Sequence, residues 1–305
     1  MRIFLIIFLA IVSFSFLFSQ EPGNFFVINK KGQVTGANGK EIKVNDFLRH
    51  NDRISIGENS FINIYDRNDQ KYYIIHGVRS VYLKKLVDNE YENEPVNSVL
   101  VKAFEKLANA FNSFASSRSL KEIFRSSSPE ENLVVISPKN CKVFCDTVAF
   151  RWHFSSNDNL IKFILLDENL NPVFDTVVYS KQIKLPKSIL QQGKEYVWQI
   201  SNSSEKRLLN YFMVATQEEY NNYSVQLDSL KNIVSTEDNS NLKILSALIA
   251  EEYGFNTEAF EFYKEAIVSS GNKKEYCNMF NSFLKRQKID LKYTDIVNIA
   301  DKYDD

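Results

Sequence analysis

The chain has 305 residues, 44% hydrophobic and 25% charged, which is ordinary globular composition and about twice the length of one domain. Its 37 Lys and Arg nearly cancel 38 Asp and Glu, for a formal net charge of -1. No long basic run supplies the electrostatic footprint of a nucleic-acid binder, so DNA and RNA are set aside as partners.

Met1-Arg2 places one cation before an apolar run over 3–18 that is broken only by Ser13 and Ser15. Ser19-Gln20 and the polar Glu21-Pro22-Gly23 follow. Cation, short apolar core and small residue make a secretory signal peptide over 1–19, cleaved near Ser19. An uncleaved anchor is the rival reading, and the run is short of the roughly 20 apolar residues a spanning helix needs. No cysteine follows before Cys141 to carry a lipid, and no second hydrophobic segment is present. The expected mature chain is exported, periplasmic or at the cell surface, without a transmembrane span.

Over 20–90 the pattern is that of short strands. Phe25-Phe26-Val27-Ile28, Ile54-Ser55-Ile56, Phe61 to Tyr65, Tyr72 to Ile75 and Val78 to Leu86 are separated by turn residues. A compact antiparallel β domain follows from that spacing. The segment resembles the FecR-like β domain of bacterial envelope proteins, on Gly32-Gln33-Val34, Gly39, Phe47-Leu48, Asn51-Asp52-Arg53-Ile54, Ile56-Gly57 and Ser60 to Ile64. Asn51 stands where that family has glycine, and a left-handed Asn would keep the turn. The family implies signalling across a membrane. With only Met1-Arg2 ahead of the apolar run, the cytoplasmic half of such a relay is not expected.

Residues 95–125 read as an amphipathic helix and linker. Val96, Val99, Leu100, Ala103, Phe104, Leu107, Phe111 and Phe114 recur at three- and four-residue spacing, with Pro95 at the start and Ser116-Ser117 at the end. Such a helix docks on a neighbouring domain, or else forms a coiled coil or lies on a membrane surface. Ser126-Ser127-Ser128-Pro129 reads as linker.

Strands return over 130–215, at Leu133 to Ile136, Val148 to Phe154, Ile161 to Leu166, Val173 to Val178, Tyr196 to Ile200 and Leu208 to Val214. Their length and spacing describe a sandwich. The segment resembles an immunoglobulin or fibronectin type III module on Ser137-Pro138, Phe150-Arg151-Trp152, Leu190 with Gly193, and Tyr196-Val197-Trp198. Phe150 and Trp152 point to one face, as do Tyr196 and Trp198, and they fill a core or else form a ligand platform. Cys141 and Cys145 lie about 13 Å apart if the strand is straight, so a disulfide between them needs a bend. With Cys277 they make three cysteines, without the paired spacing of a zinc site.

Beyond Thr216 the chain turns helical to residue 305. Leu227, Leu230, Ile233 and Val234 form one stripe, and 241–253 and 257–269 flank Gly254 as a hairpin. Ala247, Gly254, Ala259, Tyr263 and Ala266 resemble a tetratricopeptide repeat, with Lys243 and Ala250 departing from its pattern. Glu275 to Lys285 and Leu291 to Tyr303 are two further expected helices. One repeat falls short of the three a free solenoid needs, so this tail is expected to dock on the sandwich or on another protein.

The sequence offers no catalytic constellation. His50, His76 and His153 lie in separate segments without metalloprotease spacing. His50-Asn51-Asp52 lacks a nucleophile, and Ser240-Asn241-Leu242-Lys243 matches an acyl-enzyme spacing without its companion motifs, at a place where Ser caps a helix. Asp66, Asn68 and Asp69 lack the glycine and distal glutamate of a calcium loop and read as a turn. No cofactor, metal or catalytic residue is expected. The expected fold is multidomain α+β: an N-terminal antiparallel β domain, helical connector, immunoglobulin-like β-sandwich and C-terminal α-helical hairpins of tetratricopeptide type. The expected function is a non-enzymatic scaffold for protein partners in the cell envelope, with a glycan- or peptidoglycan-associated module binding cell-wall polymer as the alternative.

Overall fold

The computed structural model describes residues 23–87, 93–116, 134–153, 160–201, 207–234 and 239–289. The leader over 1–19, the Ser126 to Pro129 linker and the expected helix at 291–303 lie outside the described residues. The protein is mixed α+β, with several antiparallel sheets and six helices among the described residues. It divides into two compact units, residues 1–96 and 97–305.

The first unit carries β1 (Phe25–Lys31), β2 (Val34–Gly36), β3 (Phe47–Leu48), β4 (Arg53–Ile56), β5 (Phe61–Asp66), β6 (Lys71–His76), β7 (Arg79–Tyr82), a single helical turn α1 (Lys84–Val87) and β8 (Asn93–Pro95). One sheet has the order β3-β1-β5-β6-β8 and the other β2-β4-β7, and all their described pairings are antiparallel. In β4 the alternation Arg53, Ile54, Ser55, Ile56 puts both isoleucines inside and the polar residues in water. Val27, Ile64, Tyr73 and Ile75 from one sheet and Val34, Ile54, Ile56 and Val81 from the other share one core. Gly32 turns with φ +69°, and a Cβ there would meet the Ser60 hydroxyl at 2.3 Å. That hydroxyl accepts the next amide, Gln33 N, at 2.9 Å. Asn51 does not take the left-handed backbone expected of it. Its turn closes instead through Asp52, whose carboxylate accepts Arg49 N at 2.8 Å and whose amide donates to Arg49 O at 2.9 Å.

The second unit opens with α2 (Ser98–Ser116). Pro95, expected at the helix start, belongs to β8 instead; Asn97 caps the helix, its side-chain oxygen accepting Val99 N at 3.1 Å and Leu100 N at 3.0 Å. Then come β9 (Val134–Ser137), β10 (Cys141–Val143), β11 (Thr147–His153), β12 (Ile161–Leu166), β13 (Pro172–Val178), β14 (Gln182–Pro186), β15 (Glu195–Ser201) and β16 (Arg207–Val214). They form two sheets, β10-β16-β15-β12-β13 and β14-β11-β9, with β10 parallel to β16 and the other pairs antiparallel. The sheets enclose one core. Phe150 lies at its centre, its ring 5.0 Å from Phe163, 5.3 Å from Trp198 and 5.5 Å from Phe212, all edge-on.

The tail is α3 (Gln217–Ile233), α4 (Asn239–Tyr253), α5 (Asn256–Ser269) and α6 (Lys274–Arg286). Thr216 caps α3 in a capping box with Glu219. Ala247, Ala259 and Ala266 are buried where α4 meets α5, and Tyr263 is fully buried beside Phe280, its ring 5.6 Å away. The tail docks on the sandwich. Asn256 donates to Asn140 O at 3.2 Å, Lys142 pairs with Glu219 at 2.6 Å, and Arg151 pairs with Glu261. Helix α2 lies along α3, α4 and α6, with Phe111 edge-on to Tyr276 at 6.0 Å and Lys102 paired to Glu252. No helix among the described residues is long and apolar enough to cross a membrane.

Candidate functional site

The outward face of the five-stranded sheet in the second unit exposes several large apolar side chains. In β16, Leu208, Phe212 and Val214 turn inward, so Leu209, Tyr211 and Met213 turn outward. Leu209 is 64% exposed and Tyr211 55%. The register Tyr211↔Val197↔Leu166 carries apolar surface across β15 to β12, whereas the row Leu209↔Gln199↔Ile164 is interrupted by the polar Gln199. On β13, Val173 at a register shift and Val177 opposite Lys162 are also exposed. Five charged residues fall in the outward register of this sheet: Lys142, which pairs with Glu219, and Lys162, Asp175, Glu195 and Arg207. An antiparallel sheet with one face in water is normally polar there, and contiguous apolar surface marks a contact site. This face was not singled out in the sequence. Its signal is the run Leu208-Leu209-Asn210-Tyr211-Phe212-Met213-Val214, apolar at both parities except for Asn210.

A second polar-lined feature lies where the tail meets the sandwich. Glu258 sits in the first turn of α5, and its Oε2 is buried without a hydrogen-bond partner, as is the Tyr223 hydroxyl on α3. Burial pushes the Glu258 carboxyl from 4.5 to about 7. Cys141 is buried on β10 with Sγ 3.7 Å from the Thr257 hydroxyl, and burial raises its thiol to about 12, well away from a reactive thiolate. Cys145 instead donates to Thr147 O at 3.0 Å, its thiol also raised by burial. Cys141, Cys145 and Cys277 are all free thiols.

The residues with chemical potential in the sequence are dispersed. His50 stacks on Phe25, the strand partner of Asp66, whereas His76 lies beside Phe61. Asp66 and Phe61 are the two ends of β5, roughly 17 Å apart along a strand of that length. Burial raises the Asp66 carboxyl, which accepts Asn68 N at 2.9 Å, while Asp52 serves its own turn. His153 ends β11 in the other unit. Ser240 falls inside the first turn of α4 rather than capping it, and Lys243 pairs with Glu265.

The first unit has an open concavity of about 420 Å³ lined by Gly36, Lys40, Glu41, Asp46, Asp52 and Arg53 among others. Most of its charges are engaged locally: Glu41 with Lys30 at 2.6 Å, Asp46 with Lys43 N at 2.8 Å, Asp52 with Arg49 N at 2.8 Å, and Arg53 with Ser80 at 2.7 Å. Tyr72, Tyr73, Trp152 and Trp198, the aromatics a sugar platform would use, are all buried, Trp152 at 1% exposure and Trp198 at 0%.

No known protein-family model matches the chain. No curated protein matches it in sequence. A solved structure that resembles it is a beta-glucuronidase from an uncultured Clostridium sp., at TM-score 0.21 and 11% identity, over 48% of this chain and 36% of that enzyme. A likeness at that level carries no argument about activity.

Proposed function

We propose that the chain is a non-enzymatic exported envelope protein that serves as a scaffold for protein partners. The observation that carries this reading is the outward apolar face of Leu209, Tyr211, Val197 and Val177, presented on a rigid sandwich braced by the helical tail. Sites on a rigid framework lose little conformational entropy on binding, which suits a scaffold. The strand orders β10-β16-β15-β12-β13 and β14-β11-β9 support an immunoglobulin-like reading of the sandwich. The close α4–α5 hairpin with small residues at its contact supports the tetratricopeptide-like reading of the tail. The two small sheets of the first unit are compatible with a FecR-like domain, and the leader over 1–19 supports export to the periplasm or cell surface. Burial of the four candidate sugar-stacking aromatics favours a protein partner over cell-wall polymer.

The test is photo-crosslinking of the full chain carrying a benzophenone at position 209, in envelope preparations. A discrete protein adduct, absent when the benzophenone stands at position 184 of the other sheet, is the expected result. Recovery of cell-wall polymer alone would overturn the protein-partner reading, and retention of the chain in the cytosol would overturn export.

A further inference from the structure

We infer that β13 is a docking edge for an extended segment of a partner protein that carries a cationic side chain between apolar ones. The inference rests on the scaffold reading and names the partner's chemistry. Strand β13 is the last in its sheet, and its described pairing is with β12 alone. Edge strands are ordinarily protected by charged side chains, especially Lys, by Pro, by a β-bulge, or by being very short. This one runs seven residues and has no Lys or Arg, and its proline and its one register shift both lie at the 172–174 end, leaving 174–178 regular. Its inward side chains Phe174 and Val178 are only partly buried against the core. Its outward side chains are Asp175 and Val177, with Val173 exposed at the register shift and Tyr179 just beyond at 76% exposure. A strand laid along this edge would cover both rows.

Asp175 decides which strand fits. It is exposed at the centre of β13, its neighbour on β12 is the apolar Ile164, and it has no ion pair among the described residues. A second copy of β13 laid antiparallel in full overlap has its twofold at residue 175 and sets Asp175 against Asp175. Like charges directly opposite are destabilising in a sheet. An incoming Lys or Arg at that position turns the repulsion into attraction, and β-branched neighbours match Val173 and Val177.

The probe is a short acetylated, fluorescently labelled peptide alternating Thr and Val with one central Lys, against a twin with central Glu. With the full chain, the Lys peptide is expected to bind at least about tenfold tighter, a difference of about 1.4 kcal/mol. Asp175→Lys, a change at an exposed position, is expected to invert the preference. Bound Lys peptide is expected to slow amide hydrogen exchange over residues 173–178. Equal binding of the two peptides, no binding of either, or protection elsewhere in the chain overturns the inference. So does concentration-dependent self-association of the chain that protects β13, which would make a second copy the occupant. If the peptides fail while the position-209 adduct forms, the scaffold reading stands and only the edge inference falls.

Discussion

The amide of Lys142 on β10 donates to the carbonyl of Gly254 at the bend between α4 and α5, with N to O 2.8 Å. One hydrogen bond thus ties the sheet's edge to the point where the helical hairpin reverses. Gly254 reaches that position with φ +81°, and a Cβ there would find the Lys142 side chain no closer than 3.8 Å. Space is therefore available and the backbone conformation alone resists substitution. Gly254→Ala is expected to cost about 1 to 2 kcal/mol in urea denaturation, and Gly254→Asn clearly less, because Asn tolerates the left-handed region. Equal costs for the two would show that crowding, not φ, sets the requirement.

Glu258 makes stability depend on pH. Its folded pKa, about 7, lies above its ordinary value of 4.5, so the folded state holds the proton more tightly than the unfolded chain. The stabilisation is fully present below about pH 4.5 and is lost as pH rises through 7. First-turn carboxylates normally gain from the helix dipole as anions; here desolvation wins. Unfolding free energy is expected to fall by about 2 to 3 kcal/mol from pH 5 to pH 8, an order-of-magnitude figure. Glu258→Gln should flatten most of that slope and be the more stable protein at pH 8. A wild-type slope unchanged by the substitution would place the titrating group elsewhere.

What the sequence made legible were features that repeat locally. The pairs Phe150/Trp152 and Tyr196/Trp198 show period two, and each places both rings in the sandwich core. Gly254 between two apolar helical patterns marks the hairpin. What it hid depends on tertiary placement. Pro95 is a plausible helix starter, but its missing N–H also suits a short outer strand, and β8 closes the first unit's sheet. The burial of Glu258 exists only once the tail has docked on β10, so no spacing rule announces it. The outward face of β16 was written in the sequence, yet an unbroken apolar run reads equally as a strand buried on both sides.

Phe150 touches three aromatic rings at fully buried positions from the opposite sheet, Phe163, Trp198 and Phe212. Phe150→Ala is expected to cost about 3 to 5 kcal/mol, since the edge-on neighbours cannot collapse into the void without giving up their own contacts. Phe150→Leu should recover more than half of that loss. Thermal and urea unfolding of the two variants check the ratio.

Arg286 on α6 forks onto the carboxylate of Glu251 on α4, at 2.7 and 3.0 Å from one guanidinium nitrogen and 3.2 Å from Nε, while the Tyr263 hydroxyl on α5 donates to the same carboxylate. Three helices meet on one acid whose side chain is 9% exposed. Arg286→Met would leave that carboxylate buried without its cation and is expected to cost about 1 to 3 kcal/mol. In the Glu251→Gln background the same change should cost much less. A double-mutant cycle measures the difference, and purely additive losses would mean the fork contributes nothing to holding the helices together.

The outward sheet face offers a way to separate folding from binding. Tyr211 and Val177 contribute little to the core, being 55% and 52% exposed, so their replacement should leave the fold in place. Threonine keeps the β-strand preference at both positions while removing apolar surface. Tyr211→Thr with Val177→Thr is therefore expected to change unfolding free energy by no more than about 1 kcal/mol. The same pair should cut the protein adduct at position 209 at least about tenfold, because losing apolar contact area at the centre of an interface acts on the dissociation rate. An adduct of unchanged yield would mean that the partner does not use this face, even if the sandwich binds it elsewhere.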